Sequence, residues 1–174
     1  MLDSFGRPDW DDWFLAMCYL IARRSIDPST KHGCVVVAKD HTVLSLGYNG
    51  PLRGSDDSKI PLTRPEKYDW LLHSEENAII NAARNGTSLI GSTFYVTGFP
   101  CERCLRGMIG VGAVRIVCSD QASVMINDHN REVVKKMLEG RRDVIFEHKS
   151  NAGSTEVLQQ TIGQTAWLQR AARL

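Results

Sequence analysis

The sequence predicts an α/β fold, three layers α-β-α built around a central mixed five-stranded sheet. Three observations predict it. Short β-rich runs alternate with amphipathic helical stretches along the chain. The first two runs are joined only by Lys39-Asp40-His41-Thr42 and so form an antiparallel hairpin, whereas later neighbours are separated by helices that return the chain and turn them parallel. Finally, 174 residues, 43% of them apolar, suffice for one domain with a core.

Taken in order, the first helix opens at Trp10 behind Asp9, with Asp11 and Asp12 in its first turn. Trp10, Trp13, Phe14, Met17, Leu20 and Ile21 recur at helical steps, which places Trp10 and Trp13 in the core, and the helix should end near Ser25. Strands follow over 33–38 and Val43–Tyr48. From Asn49 to about Trp70, Gly50, Pro51, Gly54, Pro61 and Pro65 predict one long irregular loop, a length that compact domains reserve for function or disorder. A helix over Ser74–Arg84 closes on Asn85-Gly86 as a left-handed cap. The third strand spans 93–97, Pro100-Cys101 opens a short helix to Gly110, and the fourth strand spans 114–118. Asp128–Leu138 is a helix with Val133, Val134, Met137 and Leu138 on its apolar side, and 144–147 is the fifth strand. After a loop at 151–154 a last helix carries Leu158, Ile162, Ala166, Leu168 and Ala171, so 151–174 reads as a helical extension of a domain over 1–150.

Charge narrows the function. Lys plus Arg number 21 against 20 Asp plus Glu, a net charge of +1, so nucleic acid is not an expected partner. No apolar run approaches the roughly 20 residues that span a bilayer, so no membrane partner is expected either. The opening Met1-Leu-Asp-Ser-Phe-Gly lacks a basic region followed by an apolar stretch, and a cytoplasmic location is expected. Of the five cysteines, Cys18, Cys34 and Cys118 fall in helix or strand interiors and read as small buried hydrophobes. Only Cys101-Glu-Arg-Cys104 has a spacing that chemistry uses, for metal or for redox exchange.

His73 sits before one predicted helix, and Cys101 and Cys104 at the opening of another. Cysteines three apart on a helix share a face, and a helix N-terminus favours thiolate over thiol. Two thiolates and one imidazole are three ligands, so a zinc ion there keeps a position for water, the mark of a catalytic site. Glu75, two residues beyond His73, is the group to take a proton from that water and pass it on. Taken alone, Cys101 and Cys104 are equally compatible with a redox pair or half of a structural zinc site.

His73-Ser-Glu75 and Pro100-Cys-Glu-Arg-Cys104 together match the His-x-Glu and Pro-Cys-x-x-Cys signature of zinc-dependent base deaminases. With Ser25-Ile-Asp-Pro-Ser-Thr-Lys-His-Gly33, Gly47-Tyr48-Asn49-Gly50-Pro51, His73-Ser-Glu-Glu-Asn-Ala-Ile79 and Tyr95-Val-Thr-Gly-Phe-Pro-Cys-Glu-Arg-Cys104, the chain resembles the deoxycytidylate deaminases of the zinc-dependent cytidine deaminase superfamily over about residues 10–138. The resemblance implies a cytidine deaminase-like fold and hydrolysis of dCMP to dUMP and ammonia, with Zn2+ on His73, Cys101 and Cys104 and Glu75 moving a proton to N3 and then to the leaving ammonia. It implies that Asn49 and the backbone N–H of Ser74 bind substrate. It further implies a dCTP/dTTP effector site at Gly47, Tyr48 and Gly50, with Mg2+ on the effector phosphates and a homohexameric assembly.

Two departures from the family shape this expectation. The segment 49–72 holds neither Cys nor His, so one zinc per chain is expected rather than two. No aromatic residue follows the fourth strand over 119–124 to close on substrate, which leaves open a 5-substituted dCMP, dCTP or another aminopyrimidine. Lys31, Arg53, Arg64 and Lys67 are candidate phosphate partners, and His32, His41, His129 and His148 read as solvated or loop histidines. A nucleic-acid base deaminase and a non-catalytic zinc module are the competing classes. Balanced charge opposes the first, and Glu75, which a structural zinc site does not need, opposes the second.

Overall fold

Strand β1 (Gly33–Val37) is buried along its whole length, which an alternating strand achieves only when both faces of its sheet are covered. In the computed structural model, which describes residues 3–119 and 128–163, β1 lies within a five-stranded sheet. The order is β2 (Val43–Tyr48), β1, β5 (Thr93–Val96), β6 (Arg115–Ser119) and β7 (Ile145–Lys149). β1 runs antiparallel to β2 and β5, and β5, β6 and β7 run parallel, so the sheet is mixed as predicted.

The pleat sorts the core. Cys34, Val36, Phe94, Val96 and Ile116 face Ala78 and Ala82 of α2 (Ser74–Arg84), Leu105 and Met108 of α3 (Glu102–Gly110) and Val134 of α4 (Asp128–Leu138). Val35, Val37, Tyr95 and Val117 face the other way, onto Phe14, Leu15 and Cys18 of α1 (Trp10–Ala22). Cys18, Cys34 and Cys118 are fully buried, as expected of small apolar groups. Gly33 permits the close contact of α1 with the sheet, since a Cβ there would lie 2.0 Å from the Cys18 carbonyl oxygen.

The structure corrects three readings of this frame. Trp10 and Trp13 are 53% and 41% exposed rather than core residues. Residues 13–22 are apolar on every side, so periodicity cannot select the inward arc. The sheet takes the arc with the small side chains Cys18 and Ala22, and Trp10 stacks on His41 at 4.3 Å. The predicted 49–70 loop is instead tied down: β3 (Gly50–Pro51) pairs antiparallel with β4 (Leu71–Leu72), and two short 3-10 turns, Asp57–Lys59 and Glu66–Asp69, lie between them.

The predicted loop at 151–154 is the first turn of α5 (Ala152–Gly163), which packs on α1. A Cβ at Gly153 would fall 2.2 Å from Asp12 Oδ2, and Ser154 and Val157 are buried. The predicted positions Ala166, Leu168 and Ala171 lie outside the described residues. Among the described residues no helix is long and apolar enough to cross a membrane.

Candidate active site

Two helix starts converge. His73 is the N-cap of α2 and Cys101 the N-cap of α3, both in extended backbone that turns the side chain toward the first turn of its helix. The His73 N–H donates to Glu76 Oε2 at 2.9 Å, and the Cys104 N–H to Cys101 Sγ at 3.5 Å. His73 Nδ1 then stands 3.5 Å from Cys101 Sγ and 3.4 Å from Cys104 Sγ, and the three ligand atoms all lie within 4.8 Å of one another. Zinc with bonds of about 2.3 Å to sulfur and about 2.0 Å to nitrogen, at tetrahedral angles, sets sulfur and nitrogen about 3.5 Å apart. The trio therefore fits zinc in its present positions.

The three groups shift one another's protonation. Donation from Cys104 brings the Cys101 thiol down to about 3 against its burial, helped by His73. The Cys101 sulfur raises the His73 imidazole to about 9, again against burial. Cys104, beside the Cys101 thiolate and buried, is pushed up and keeps its proton.

Glu75 stands outside this trio, 5% exposed, on the first turn of α2, and accepts a hydrogen bond from Ser74 Oγ at 2.8 Å. Only the backbone of Ser74 is expected at the site from the sequence, yet its hydroxyl holds the carboxylate that it precedes. Three protein donors leave the fourth position of a tetrahedral ion to a non-protein ligand, with a carboxylate nearby that is free of the metal set.

His73, Ser74, Glu75, Cys101 and Asn49 line one cavity of about 330 Å³. Asn49 reaches it from the end of β2, with Oδ1 accepting from the His32 N–H at 2.7 Å and Nδ2 donating to the Thr30 carbonyl at 2.9 Å. Gly47, Tyr48 and Gly50 stay outside the lining. Gly47 is pressed on α2, where a Cβ would lie 2.3 Å from the Ser74 carbonyl oxygen. The Tyr48 carbonyl accepts from Asn77 Nδ2 at 2.8 Å, and Gly50 pairs with Leu72.

The four candidate cations separate. Arg64 and Lys67 line the cavity, while Arg53 donates to Asn81 in another groove and the Lys31 ammonium bonds the Ser25 carbonyl. Lys67 is buried and held at 2.8 Å by both oxygens of Asp27. Burial raises the Asp27 carboxyl, but Lys67 and the Ser29 N–H outweigh it and keep Asp27 below the usual carboxylate range.

The lining residues that sequence reasoning missed include Tyr68, Phe99 and His32. Tyr68 and Phe99 add aromatic surface; Phe99 was legible as the residue before Pro100-Cys101. The expected solvated or loop role of His32 is corrected, because its ring lines the cavity with Nδ1 3.0 Å from Thr97 Oγ1. Burial lowers its pKa, opposed by the Glu75 charge. The stretch after the fourth strand, which carries no aromatic residue over 119–124, lies from residue 120 to 127 outside the described residues.

The cytidine and deoxycytidylate deaminase zinc-binding region family matches residues 8–120. The chain belongs to this family. The resemblance carried by the His-x-Glu and Pro-Cys-x-x-Cys segments is thus confirmed. Among relatives, the deoxycytidylate deaminase of Homo sapiens is 33% identical over 115 residues, 63% of this chain and 64% of that protein. The probable deoxycytidylate deaminase of Drosophila melanogaster is 36% identical over 119 residues, 62% of this chain and 58% of that protein. The chain thus spans about 58 to 64% of the length of these curated relatives. Among solved structures, the dCMP deaminase of cyanophage S-TIM5 in complex with dCMP and dUMP superposes with a TM-score of 0.64 at 22% identity, covering 82% of this chain and 98% of that one. That likeness establishes the cytidine deaminase-like fold.

Proposed function

We propose that this member of the deaminase family hydrolyses a free deoxycytidine nucleotide, dCMP plus water giving dUMP plus ammonia. The observation that carries the reading is a His73, Cys101 and Cys104 trio at zinc spacing, with His73 and Cys101 lining the same cavity as the buried Glu75. Matched relatives named deoxycytidylate deaminases and a structural neighbour bound to dCMP and dUMP support the choice of substrate.

His73, Cys101 and Cys104 would hold one zinc per chain. Bound there, zinc supplies a Lewis acid that acidifies water. Glu75 accepts a proton from the attacking water and delivers it to N3 as the C4–O bond forms, then accepts the second proton from the new C4 hydroxyl and hands it to the amino group, so that the C4–N bond breaks, ammonia leaves and the C4 carbonyl remains. Ser74 holds Glu75 by its hydroxyl and offers its backbone N–H to the pyrimidine carbonyl. Asn49 meets the sugar or base, and Arg64, the exposed cavity cation, meets the phosphate. A cytoplasmic homohexamer with dCTP and dTTP as effectors at Gly47, Tyr48 and Gly50, and Mg2+ on their phosphates, completes the reading on the strength of the family resemblance.

The test is ammonia release by the purified, zinc-loaded protein offered dC, dCMP, dCTP, 5-methyl-dCMP, guanine and a tRNA anticodon stem, each with and without dCTP as effector. Turnover greatest on dCMP supports the reading, and turnover confined to guanine or the RNA overturns it.

A further inference from the structure

His32 lines the cavity, and its ring nitrogen Nδ1 is paired with Thr97 Oγ1 at 3.0 Å. Thr97 is fully buried, and its Oγ1 accepts from the Gly33 N–H at 3.2 Å. A buried hydroxyl proton needs an acceptor, and among the described residues the one in place is His32 Nδ1 at 3.0 Å. On that ground we assign the Thr97 hydroxyl as donor to Nδ1 and the proton of the neutral imidazole to Nε2. The main chain is anchored as well, since the His32 N–H donates to Asn49 Oδ1 at 2.7 Å. Among the described residues no protein acceptor meets Nε2, and His32 lines the cavity that Glu75, His73 and Cys101 also line.

Neighbouring groups on this side of the cavity are already committed. Both oxygens of Asp27 accept from Lys67, and one of them also accepts from the Ser29 N–H. Asn49 has its amide donor on the Thr30 carbonyl, with Asp27 Oδ2 at 3.5 Å, and keeps toward substrate only the remaining acceptor capacity of Oδ1. A neutral N–H donor suits a neutral oxygen, whereas a phosphate is better matched by a guanidinium such as that of Arg64. We propose that His32 is a specificity-determining residue whose Nε2–H donates a hydrogen bond to the sugar hydroxyl of the bound deoxynucleotide. This inference rests on the deaminase reading above.

Steady-state kinetics on dCMP and on 2′,3′-dideoxy-CMP test it. His32→Leu removes the donor. His32→Asn keeps a partner for Thr97 where Nδ1 stands but has nothing at Nε2, so a loss shared by both variants is not a folding defect. For dCMP both variants are expected to raise KM about tenfold, the equivalent of about 1.4 kcal/mol, with kcat within about twofold. His32→Gln, which returns an N–H near the Nε2 position, is expected to recover most of the loss. The unsubstituted protein should show the same KM rise on the dideoxy nucleotide, and the variants no further rise. An equal KM penalty on both nucleotides, or a fall in kcat at unchanged KM, would overturn the assignment while leaving the deaminase reading intact. No ammonia from either nucleotide with the unsubstituted protein would overturn both.

Discussion

At the scale of single residues, the division of labour between the metal-fitting trio and Glu75 is the most exposed to test. His73 Nδ1 lies 3.5 and 3.4 Å from the two sulfurs, whereas Glu75 contributes no atom to the cluster. Cys101→Ser, Cys104→Ser and His73→Ala should each lower bound zinc well below one per chain, read by atomic absorption on dialysed protein. Glu75→Gln should keep full zinc and lower kcat by about 10² to 10⁴, the usual worth of a positioned acid–base group. Retained turnover in Glu75→Gln would refute the role given to that carboxylate. The side chain that sequence reasoning undervalued most is Ser74, because a hydrogen bond between adjacent residues depends on rotamers that a motif does not encode.

At the scale of elements, close packing places the site. Gly47 lets β2 lie against the first turn of α2, the turn that carries Ser74 and Glu75. Gly47→Ala would put a methyl group 2.3 Å from the Ser74 carbonyl oxygen, so α2 must shift. A loss of about 2 kcal/mol or more is expected in urea denaturation, with kcat falling alongside. The buried Lys67–Asp27 pair ties the segment before β4 to the turn before β1. Because Asp27 titrates below its unfolded value, its stabilisation is present above about pH 4 and is lost as pH falls through the depressed folded value. Lys67→Met strands the carboxylate in the interior and should cost about 3 kcal/mol at pH 7. That penalty should shrink toward acid pH as Asp27 takes up a proton, and chemical denaturation at pH 7 and pH 4 reads the difference. A penalty that grew on acidification would contradict the pairing.

At the scale of the whole molecule, a mixed sheet is covered by α2, α3 and α4 on one face and by α1 on the other, with α5 laid over α1. We propose that residues 151–174 extend a deaminase domain over 1–150. Ending the chain after residue 150 uncovers the α1 surface around Asp12 and removes the buried Val157. The shortened protein should bind zinc normally but lose about 2 kcal/mol of stability, seen as a lowered Tm in calorimetry. Loss of zinc binding on the same cut would show that the helix belongs to the domain itself.

Much of this was legible in the linear chain. The order of helices and strands, the mixed sheet and the metal-ligating types at two helix starts follow from periodicity, caps and spacing, which act over a few residues and are written locally. Three features were not legible: which arc of the all-apolar stretch 13–22 faces the sheet, that β3 pairs with β4 across the long loop, and that His32 turns into the cavity. Each is settled by a partner distant in sequence, the sheet for Trp10 and Trp13, Leu71 and Leu72 for the loop, Thr97 and Asn49 for His32. The sequence alone thus determined the strands of the main sheet, the helices between them and the chemistry of the ligand set. Only the tertiary structure decided which faces are buried and which side chains share the cavity, because packing energies depend on contacts between segments that local propensity does not specify.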